Sequence, residues 1–297
     1  MTQPAATGRR PGRRLSGVLH RHPGLRLGAL LSAPAAWLVG AYLGSLAVLL
    51  VSAFWTTDAF TGNVVRSFST SNFRAVLTSE LYRTVTIRTV TVAVLVTALC
   101  TTIGLPIAFF MAKVASPRLQ RALVVAVLTP LWASYLVKAF AWRVMLSGNG
   151  VLNWLLRPLG LSGPGYGLTA TVLVLSYLWL PYMILPVYAG LDRLPNSLLD
   201  ASSDLGARAG RTLRSVVLPA IFPAVVAGSI FTFSLSLGDY ITVQIVGGKS
   251  QLIGNLIYSN VGAANNRPLA AALAAVPVVI MIGYLAAVKR TGALENL

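Results

Sequence analysis

Charged residues, and acidic residues above all, are scarce in this sequence of 297 amino acids. Only 10% of the residues are Asp, Glu, Lys or Arg, 7 are acidic, and 56% are hydrophobic. A soluble domain of this length needs far more charge to cover its surface. The composition therefore excludes an ordinary soluble globular protein.

Cysteine and histidine are nearly absent, which excludes several kinds of catalytic site. Because Cys100 is the single cysteine, the chain by itself forms neither a disulfide framework nor a thiolate metal site. His20 and His22 precede the first long apolar stretch, so they cannot meet a serine within the membrane. Residues 248–250 read Gly-Lys-Ser, like the end of a phosphate-binding loop, but Val243 stands where its first glycine belongs. We therefore predict no catalytic residue, no metal site and no enzyme activity.

Long apolar stretches, in contrast, are abundant. Six of them are long enough to cross about 30 Å of hydrocarbon, which requires about 20 helical residues, and acidic residues are almost absent from them. The predicted spans are residues 28–55, 86–112, 121–146, 168–190, 219–238 and 268–288. The predicted fold class is an all-α, polytopic membrane protein with six transmembrane helices.

The first apolar stretch follows a basic segment at residues 1–27, an arrangement that also occurs in cleavable secretory signals. Residues 33–35 read Ala-Pro-Ala, as a cleavage site could, but the apolar run continues unbroken to Ala53. We therefore favour an uncleaved signal anchor, with residues 28–83 forming the first span and an outer segment. The basic tail is expected to contact lipid headgroups.

The basic residues predict the orientation in the cell membrane. With the amino terminus inside, the inner segments hold 15 Lys and Arg residues and the outer segments hold 8, the bias that cytoplasmic loops usually show. Both termini are therefore expected in the cytoplasm, with a five-helix core at 84–288 and a short tail at 289–297. The formal net charge of +17 does not indicate nucleic-acid binding, because no basic stripe is interleaved with aromatic residues.

The cytoplasmic loop at residues 192–219 carries the most informative pattern. Residues 200–206 read Asp-Ala-Ser-Ser-Asp-Leu-Gly, and Val-Val-Leu-Pro follows after nine further residues. Ser197 and Asp200 have capping-box spacing, which predicts the start of a short helix, and Gly206 can adopt the left-handed conformation that ends one. An ordinary loop with a capped surface helix would explain the local chemistry equally well.

The full spacing resembles the Glu-Ala-Ala…Gly…Ile-x-Leu-Pro loop of the permease subunits of type I ABC importers. Asp200 replaces the usual Glu, Ser202 an Ala and Val216 an Ile, while Gly210 stands where related permeases often carry an aromatic residue. In that family the loop forms a coupling helix that fits a cleft in a separate ATPase. The resemblance assigns ATPase coupling to Asp200, Ala201, Ser202, Asp204, Gly206, Leu218 and Pro219.

The resemblance also implies the partners of this chain and its mechanism. Such permeases pair with a second permease chain, here expected to be a different one, and bind ABC ATPase subunits. A binding protein outside the cytoplasm delivers the small-molecule substrate, and closure of the ATPase drives alternating access. ATP is bound by the partner ATPase, so no cofactor is expected in this chain.

The likeness extends over about residues 70–288 and favours the spermidine/putrescine branch of these permeases. Residues 104–108 (Gly-Leu-Pro-Ile-Ala), 180–182 (Leu-Pro-Tyr) and 236–240 (Ser-Leu-Gly-Asp-Tyr) resemble that branch. Permeases for iron, thiamine and phosphonate share parts of these motifs. The resemblance therefore implies a polyamine as substrate and leaves these other solutes as alternatives.

A carboxylate at the end of the fifth predicted span is a candidate for the substrate pathway. Asp239, next to Tyr240 and near Trp142 if the outer ends of the spans converge, could guide a cation, because charges at membrane depth are often functional. A snorkelling side chain, or an ion pair to Lys138 or Arg143, would explain Asp239 equally well. Lys138 itself is expected to pair with a carboxylate or to cap a neighbouring helix.

Two other classes of protein share this hydropathy. A secondary transporter driven by an ion gradient usually has repeated halves and broken spans, and neither is visible in the sequence. A membrane scaffold protein would not need the docking loop. Both are therefore less favoured than an importer permease.

Overall fold

The computed structural model describes residues 23–58 and 60–292, and these residues are mainly helical. Most of the predicted basic tail at 1–27, and residues 293–297 of the predicted carboxyl-terminal tail, lie outside this part of the chain. The chain divides into two units, residues 1–52 and residues 53–297. The predicted division into tail, outer segment, core and tail stays a prediction.

The first unit contributes one candidate membrane span. Helices α1 (Pro23–Trp37) and α2 (Gly44–Ser52) are joined by a π-helical turn at Leu38–Leu43. Residues Leu30–Ser52 are long and apolar enough to cross a membrane, in agreement with the predicted span at 28–55.

The second unit begins with a short hairpin that the sequence did not predict. Strands β1 (Thr56–Thr57) and β2 (Val64–Val65) pair antiparallel. In the turn between them, the Asp58 carboxylate accepts hydrogen bonds from the backbone N–H and hydroxyl of Thr61 and from the N–H of Phe60. These hydrogen bonds, led by the one from the Thr61 backbone, hold the pKa of Asp58 below its ordinary value.

Helices form nearly all the rest of the second unit. Those in the first half are α3 (Ser71–Thr78), α4 (Glu80–Phe109) with a π-helical extension at Phe110–Val114, α5 (Pro117–Trp132), α6 (Tyr135–Leu146) and α7 (Val151–Leu156), followed by a 3₁₀ turn at Arg157–Leu159. Those in the second half are α8 (Leu168–Arg193), α9 (Asn196–Asp204), α10 (Ala209–Thr212), a π-helical turn at Leu213–Val217, α11 (Leu218–Leu237), α12 (Ile241–Val246), α13 (Ile253–Val261) and α14 (Arg267–Lys289).

The third predicted span is broken. Within the described residues, five helices are long and apolar enough to cross a membrane, and α5 with α6 makes a sixth candidate bent by 94°. Ala133 and Ser134, at the break, have extended backbone conformations. The predicted span at 121–146 therefore corresponds to a bent helix pair, which is a broken span or a re-entrant loop. Hydropathy does not reveal the bend, because it adds up across a bend as readily as along a straight helix.

The core of the second unit lies between α4, α8 and α11. Met183 on α8 is fully buried, and it fills the space between a glycine on α4 and a glycine on α11. A Cβ atom on Gly228 would lie 2.7 Å from the Met183 sulfur, and one on Gly104 would lie 3.1 Å from the Met183 Cγ. Small residues permit such close approach of membrane helices, so these positions determine how tightly the three helices pack.

Candidate functional site

Helix α9 is the short helix that the loop pattern predicted between the fourth and fifth spans. It covers Asn196–Asp204, and Pro195 is its N-cap residue. Pro195 makes no capping side-chain hydrogen bond, so the predicted capping box of Ser197 and Asp200 is wrong. The helix begins two residues earlier than that box requires, because Pro195, and not Ser197, takes the extended conformation of the N-cap position.

Helix α9 and the turn after it present an exposed surface made of acidic and apolar side chains. Asp200, Ala201 and Asp204 are exposed, as a docking role requires. Leu205, immediately after the helix, is 89% exposed, and Leu198 is also exposed. The loop pattern did not single out these two leucines, although large apolar side chains exposed outside a membrane span often mark a contact surface.

Ser202 has a different environment from its neighbours. It is buried, and its hydroxyl lies 2.9 Å from the hydroxyl of Thr212. Ser202, to which the resemblance assigns ATPase coupling, joins α9 to α10 by this contact. Its small side chain matters for packing within the loop rather than on the docking surface.

The end of the loop is shaped by a glycine and a proline. Gly206 has φ = 75°, which confirms the predicted left-handed turn. Leu218 and Pro219 begin α11, but the candidate span reaches back to Ala209 through the π-helical turn at Leu213–Val217. The fifth span therefore starts earlier than the predicted residue 219.

Asp239 lies just after α11 and is buried among neutral hydrogen-bond donors. Its carboxylate accepts hydrogen bonds from the hydroxyl of Tyr135, from the Thr242 backbone N–H at 2.9 Å and from the Thr242 hydroxyl at 3.3 Å. Within the described part of the chain, no cationic side chain is paired with it. Among these residues, the carboxyl group is thus held by neutral dipoles alone.

The pocket beside this carboxylate has three aromatic side chains among its eight lining residues. It has a volume of about 340 Å³ and is lined by Tyr135, Trp179, Ser234, Leu235, Gly238, Asp239, Tyr240 and Ile241. Tyr135 stacks on Trp179 with ring centroids 5.9 Å apart, and Tyr240 stacks on Tyr258 at 5.0 Å. Aromatic faces and a carboxylate are the groups that favour organic ammonium ions, so the pocket is suited to a cation.

The other candidate pathway residues occupy separate places. The ammonium of Lys138 donates to the carbonyl of Pro130 at 3.0 Å, where it caps the end of α5. The guanidinium of Arg143 lies over the ring of Tyr166, 6.0 Å from its centroid. Neither residue therefore forms the ion pair that was the alternative explanation of Asp239.

Trp142 packs against Tyr177 and is not among the residues that line the pocket. Tyr135 and Thr242 contact the carboxylate instead, Trp179 lines the same pocket, and no sequence pattern points to these three residues. Among the described residues, no group of three or more His, Cys, Asp or Glu side chains is placed to bind a metal ion. The arrangement can hold a cation by charge and aromatic contact.

Comparison with known protein families identifies one match. The family described as "Binding-protein-dependent transport system inner membrane component" matches residues 104–289. This range includes α9, the turn at Gly206 and the pocket at Asp239.

The proteins similar to the chain include two curated permeases and one solved structure. The "Inner membrane ABC transporter permease protein YdcU" of Escherichia coli (strain K12) is 45% identical over 262 residues, which cover 82% of each chain. The "Spermidine/putrescine transport system permease protein PotB" of Haemophilus influenzae is 32% identical over 225 residues, or 74% of this chain and 78% of the relative. A chain in the "Crystal structure of bacterial alginate ABC transporter in complex with alginate pentasaccharide-bound periplasmic protein" superposes with a TM-score of 0.67 at 18% identity, covering 91% of this chain and 94% of that one. The structural likeness confirms the predicted helical membrane fold.

Proposed function

This chain belongs to the binding-protein-dependent permeases of ABC importers, and we propose that it helps to form the membrane path of an importer for organic cations of the polyamine class. Members of this family are multi-pass proteins of the inner membrane and are not enzymes, and ATP is bound by a separate ATPase. Family membership therefore sets aside a secondary transporter and a scaffold protein.

The observation that carries the proposal is the buried carboxylate of Asp239, which pairs with no cationic side chain of the described residues. A buried charge is costly unless it is paired or well solvated, and here it is held in place by the hydroxyl of Tyr135 and by Thr242. An ammonium group in the adjoining pocket would supply the missing positive charge. The polyamine name of the PotB relative supports the same class of substrate.

The proposed mechanism is alternating access with partners. A second permease chain, different from this one, completes the path, and two ATPase subunits dock on the exposed surface of α9. A binding protein delivers the cation to the outer side, and the similar alginate transporter was crystallised in complex with such a periplasmic protein carrying an alginate pentasaccharide. Both termini then lie in the cytoplasm, on the side of the ATPase.

The first test is uptake of radiolabelled spermidine and putrescine in cells that lack this chain and carry a plasmid copy. We expect the wild type to restore uptake and Asp239→Asn to lower it by about tenfold or more, because a charge-assisted contact contributes about 1.5–3 kcal/mol. The matched control is Asp58→Asn, which removes a carboxylate that hydrogen bonds only within its own turn. The control should leave uptake close to the wild-type rate.

Each result is decisive for a different part of the proposal. If deletion of the chain leaves polyamine uptake unchanged, the substrate assignment is wrong. If deletion abolishes uptake but Asp239→Asn supports the wild-type rate, the pocket is not the cation site.

The same carboxylate favours thiamine as the second candidate substrate, because thiamine carries a positive charge and aromatic rings. An anionic phosphonate would be repelled by Asp239. Uptake of labelled thiamine, measured in the same strains, separates the two cationic substrates.

A further inference from the structure

We propose that α4 acts as a rod between the docking helix α9 and the cation pocket, with Lys113 and Thr89 as its two attachments. This inference rests on the proposed coupling role of α9. It assigns to Lys113 and Thr89 a positioning role in transport that their places in the sequence do not suggest. The contacts involved lie at the cytoplasmic end of the rod, along its length and at its outer end.

The cytoplasmic attachment is a lysine at the junction of α8 and α9. The ammonium of Lys113 donates to the carbonyl of Leu194 at 2.6 Å and to the side-chain oxygen of Asn196 at 3.0 Å. Leu194 is the C-cap residue of α8 and Asn196 is the first residue of α9. One ammonium group therefore binds the residues on both sides of the junction between the two helices. A displacement of α9 is thereby passed to the end of α4 as well as to α8.

The rod itself is long and supported along its length. Lys113 and Thr89 are separated by roughly 35 Å of helix at 1.5 Å per residue. Pro106 lies inside α4 and weakens its hydrogen bonding. On either side of it, however, Gly104 and Ala108 are buried in the core, so packing against α8 stiffens the helix where the proline would let it bend.

The outer attachment is a hydrogen bond to the chain that supports the pocket. The Thr89 hydroxyl accepts from the backbone N–H of Ile253 at 2.9 Å, and both residues are buried. Two residues further on, the Asn255 side chain donates to the carbonyl of Tyr240 at 2.9 Å. Movement of α4 thus reaches Tyr240, the residue next to Asp239 in the pocket wall.

Both attachments join residues far apart in sequence, and apart from the exposed Asn196 these residues are buried or half-buried. Packed helices and hydrogen-bonded networks with two arrangements are the elements that carry coupling between distant sites. The test therefore drives the ATPase end of the rod and measures movement at the pocket end. Cys100 and Ser234 make this practical.

The experiment uses the complete transporter, purified with its own ATPase and placed in lipid nanodiscs. Cys100→Ala removes the single cysteine, and Ser234→Cys places a thiol on an exposed residue that lines the pocket. The rate at which methanethiosulfonate ethylammonium modifies this thiol is measured without nucleotide and with ATP plus vanadate. The ratio of the two rates reports how far ATP binding changes the pocket.

We expect ATP to change the rate in the otherwise wild-type transporter, and Lys113→Met or Thr89→Val to reduce the ratio by about threefold or more. Because the two residues hold one rod, the double substitution should reduce it no further than either single one. Lys113→Arg keeps a donor and should restore most of the ratio. Co-purification of the ATPase with each variant shows that the complex is assembled.

Two matched controls remove similar groups without touching the attachments. Arg121→Met removes a cation on α5 that hydrogen bonds only to its own helix, and Thr91→Val removes an exposed hydroxyl on α4 that does the same. Both should keep the wild-type ratio. The inference is overturned if ATP leaves the rate unchanged in the otherwise wild-type transporter, or if Lys113→Met or Thr89→Val keeps the full ratio.

Gly206→Pro separates this inference from the proposed function. It disrupts the turn after α9 and should abolish the ATP response. If it does so while Lys113→Met does not, the rod is wrong and the docking role of α9 stands. If Gly206→Pro also keeps the response, the docking role itself is wrong.

Discussion

Gly206 shows most clearly how one residue constrains the docking loop. Its φ of 75° lies in a region that side-chain-bearing residues rarely adopt, yet a Cβ atom there would meet nothing within 4 Å. The cost of substitution is therefore conformational and not steric. Its backbone N–H also donates to the carbonyl of Ser203 at 2.8 Å.

A graded series of substitutions at Gly206 tests this reasoning. Uptake should fall in the order Asn, Ala, Val and Pro, because Asn tolerates the left-handed region, Ala costs about 1 kcal/mol there and a β-branched residue costs more. Proline cannot adopt this φ and removes the N–H. Radiolabelled uptake, corrected for the amount of permease in the membrane, is the measurement.

Gly210 provides the control, since it also has open space around it but no positive φ. Gly210→Ala should transport normally. A Gly206→Pro variant that transports as well as wild type would show that this turn does not transmit force.

Sequence reasoning at the scale of single residues succeeded where the constraint is local. The left-handed turn at Gly206 could be predicted from the sequence, because the glycine directly follows the predicted helix in the same loop. The contact between Tyr135 and Asp239 could not be predicted, because the two residues are 104 positions apart in the sequence and no short sequence pattern includes both. Lys138 was correctly expected to cap a neighbouring helix, as one of two possibilities.

The bend between α5 and α6 is the element that hydropathy alone could not reveal. Hydropathy predicted a single span, whereas the structure turns by 94° at Ala133 and Ser134. The bend also brings Tyr135, the first residue of α6, to the pocket. Lys138 stabilises the turn by its hydrogen bond to Pro130 on the other helix.

We predict that Lys138→Met loosens this bend. Loss of the hydrogen bond should cost about 1 kcal/mol and broaden the distribution of angles between the two helices. The substitutions Val125→Cys and Val144→Cys, both at exposed positions, are made in a Cys100→Ala background, and a spin label is attached to each new cysteine. Pulsed electron paramagnetic resonance then measures the distance between the two labels across the bend.

Lys138→Arg should keep the narrow distance distribution, because it retains a donor and the charge. Lys249→Met, at an exposed position after α12, should also leave it unchanged. If Lys138→Met gives the wild-type distribution, the bend is fixed by Ala133, Ser134 and the surrounding packing alone.

The orientation in the membrane that the charge distribution predicts can be checked at two exposed side chains. Phe60 at the tip of the hairpin is fully exposed, and Leu205 after α9 is 89% exposed. With the termini in the cytoplasm, Phe60 faces outward and Leu205 faces the ATPase. The excess of Lys and Arg on one side supports this orientation.

We expect a membrane-impermeant maleimide to label Phe60→Cys in intact cells, in the Cys100→Ala background. Leu205→Cys should be labelled only after the cells are permeabilised. The opposite pattern would invert the predicted topology and remove α9 from the side where ATP is available.

Met183, seated between Gly104 and Gly228, has a consequence for the route that cargo takes. At this level α4, α8 and α11 leave no room even for an added methyl group at Gly104 or Gly228 without displacement of Met183, so the three helices are closely packed along their common axis here. In the proposed importer, cargo is therefore expected to travel along the outside of the bundle, past surfaces such as the one where Ser234 is exposed. One copy of the bundle would then form only one wall of the path, and we expect the opposite wall to come from another surface.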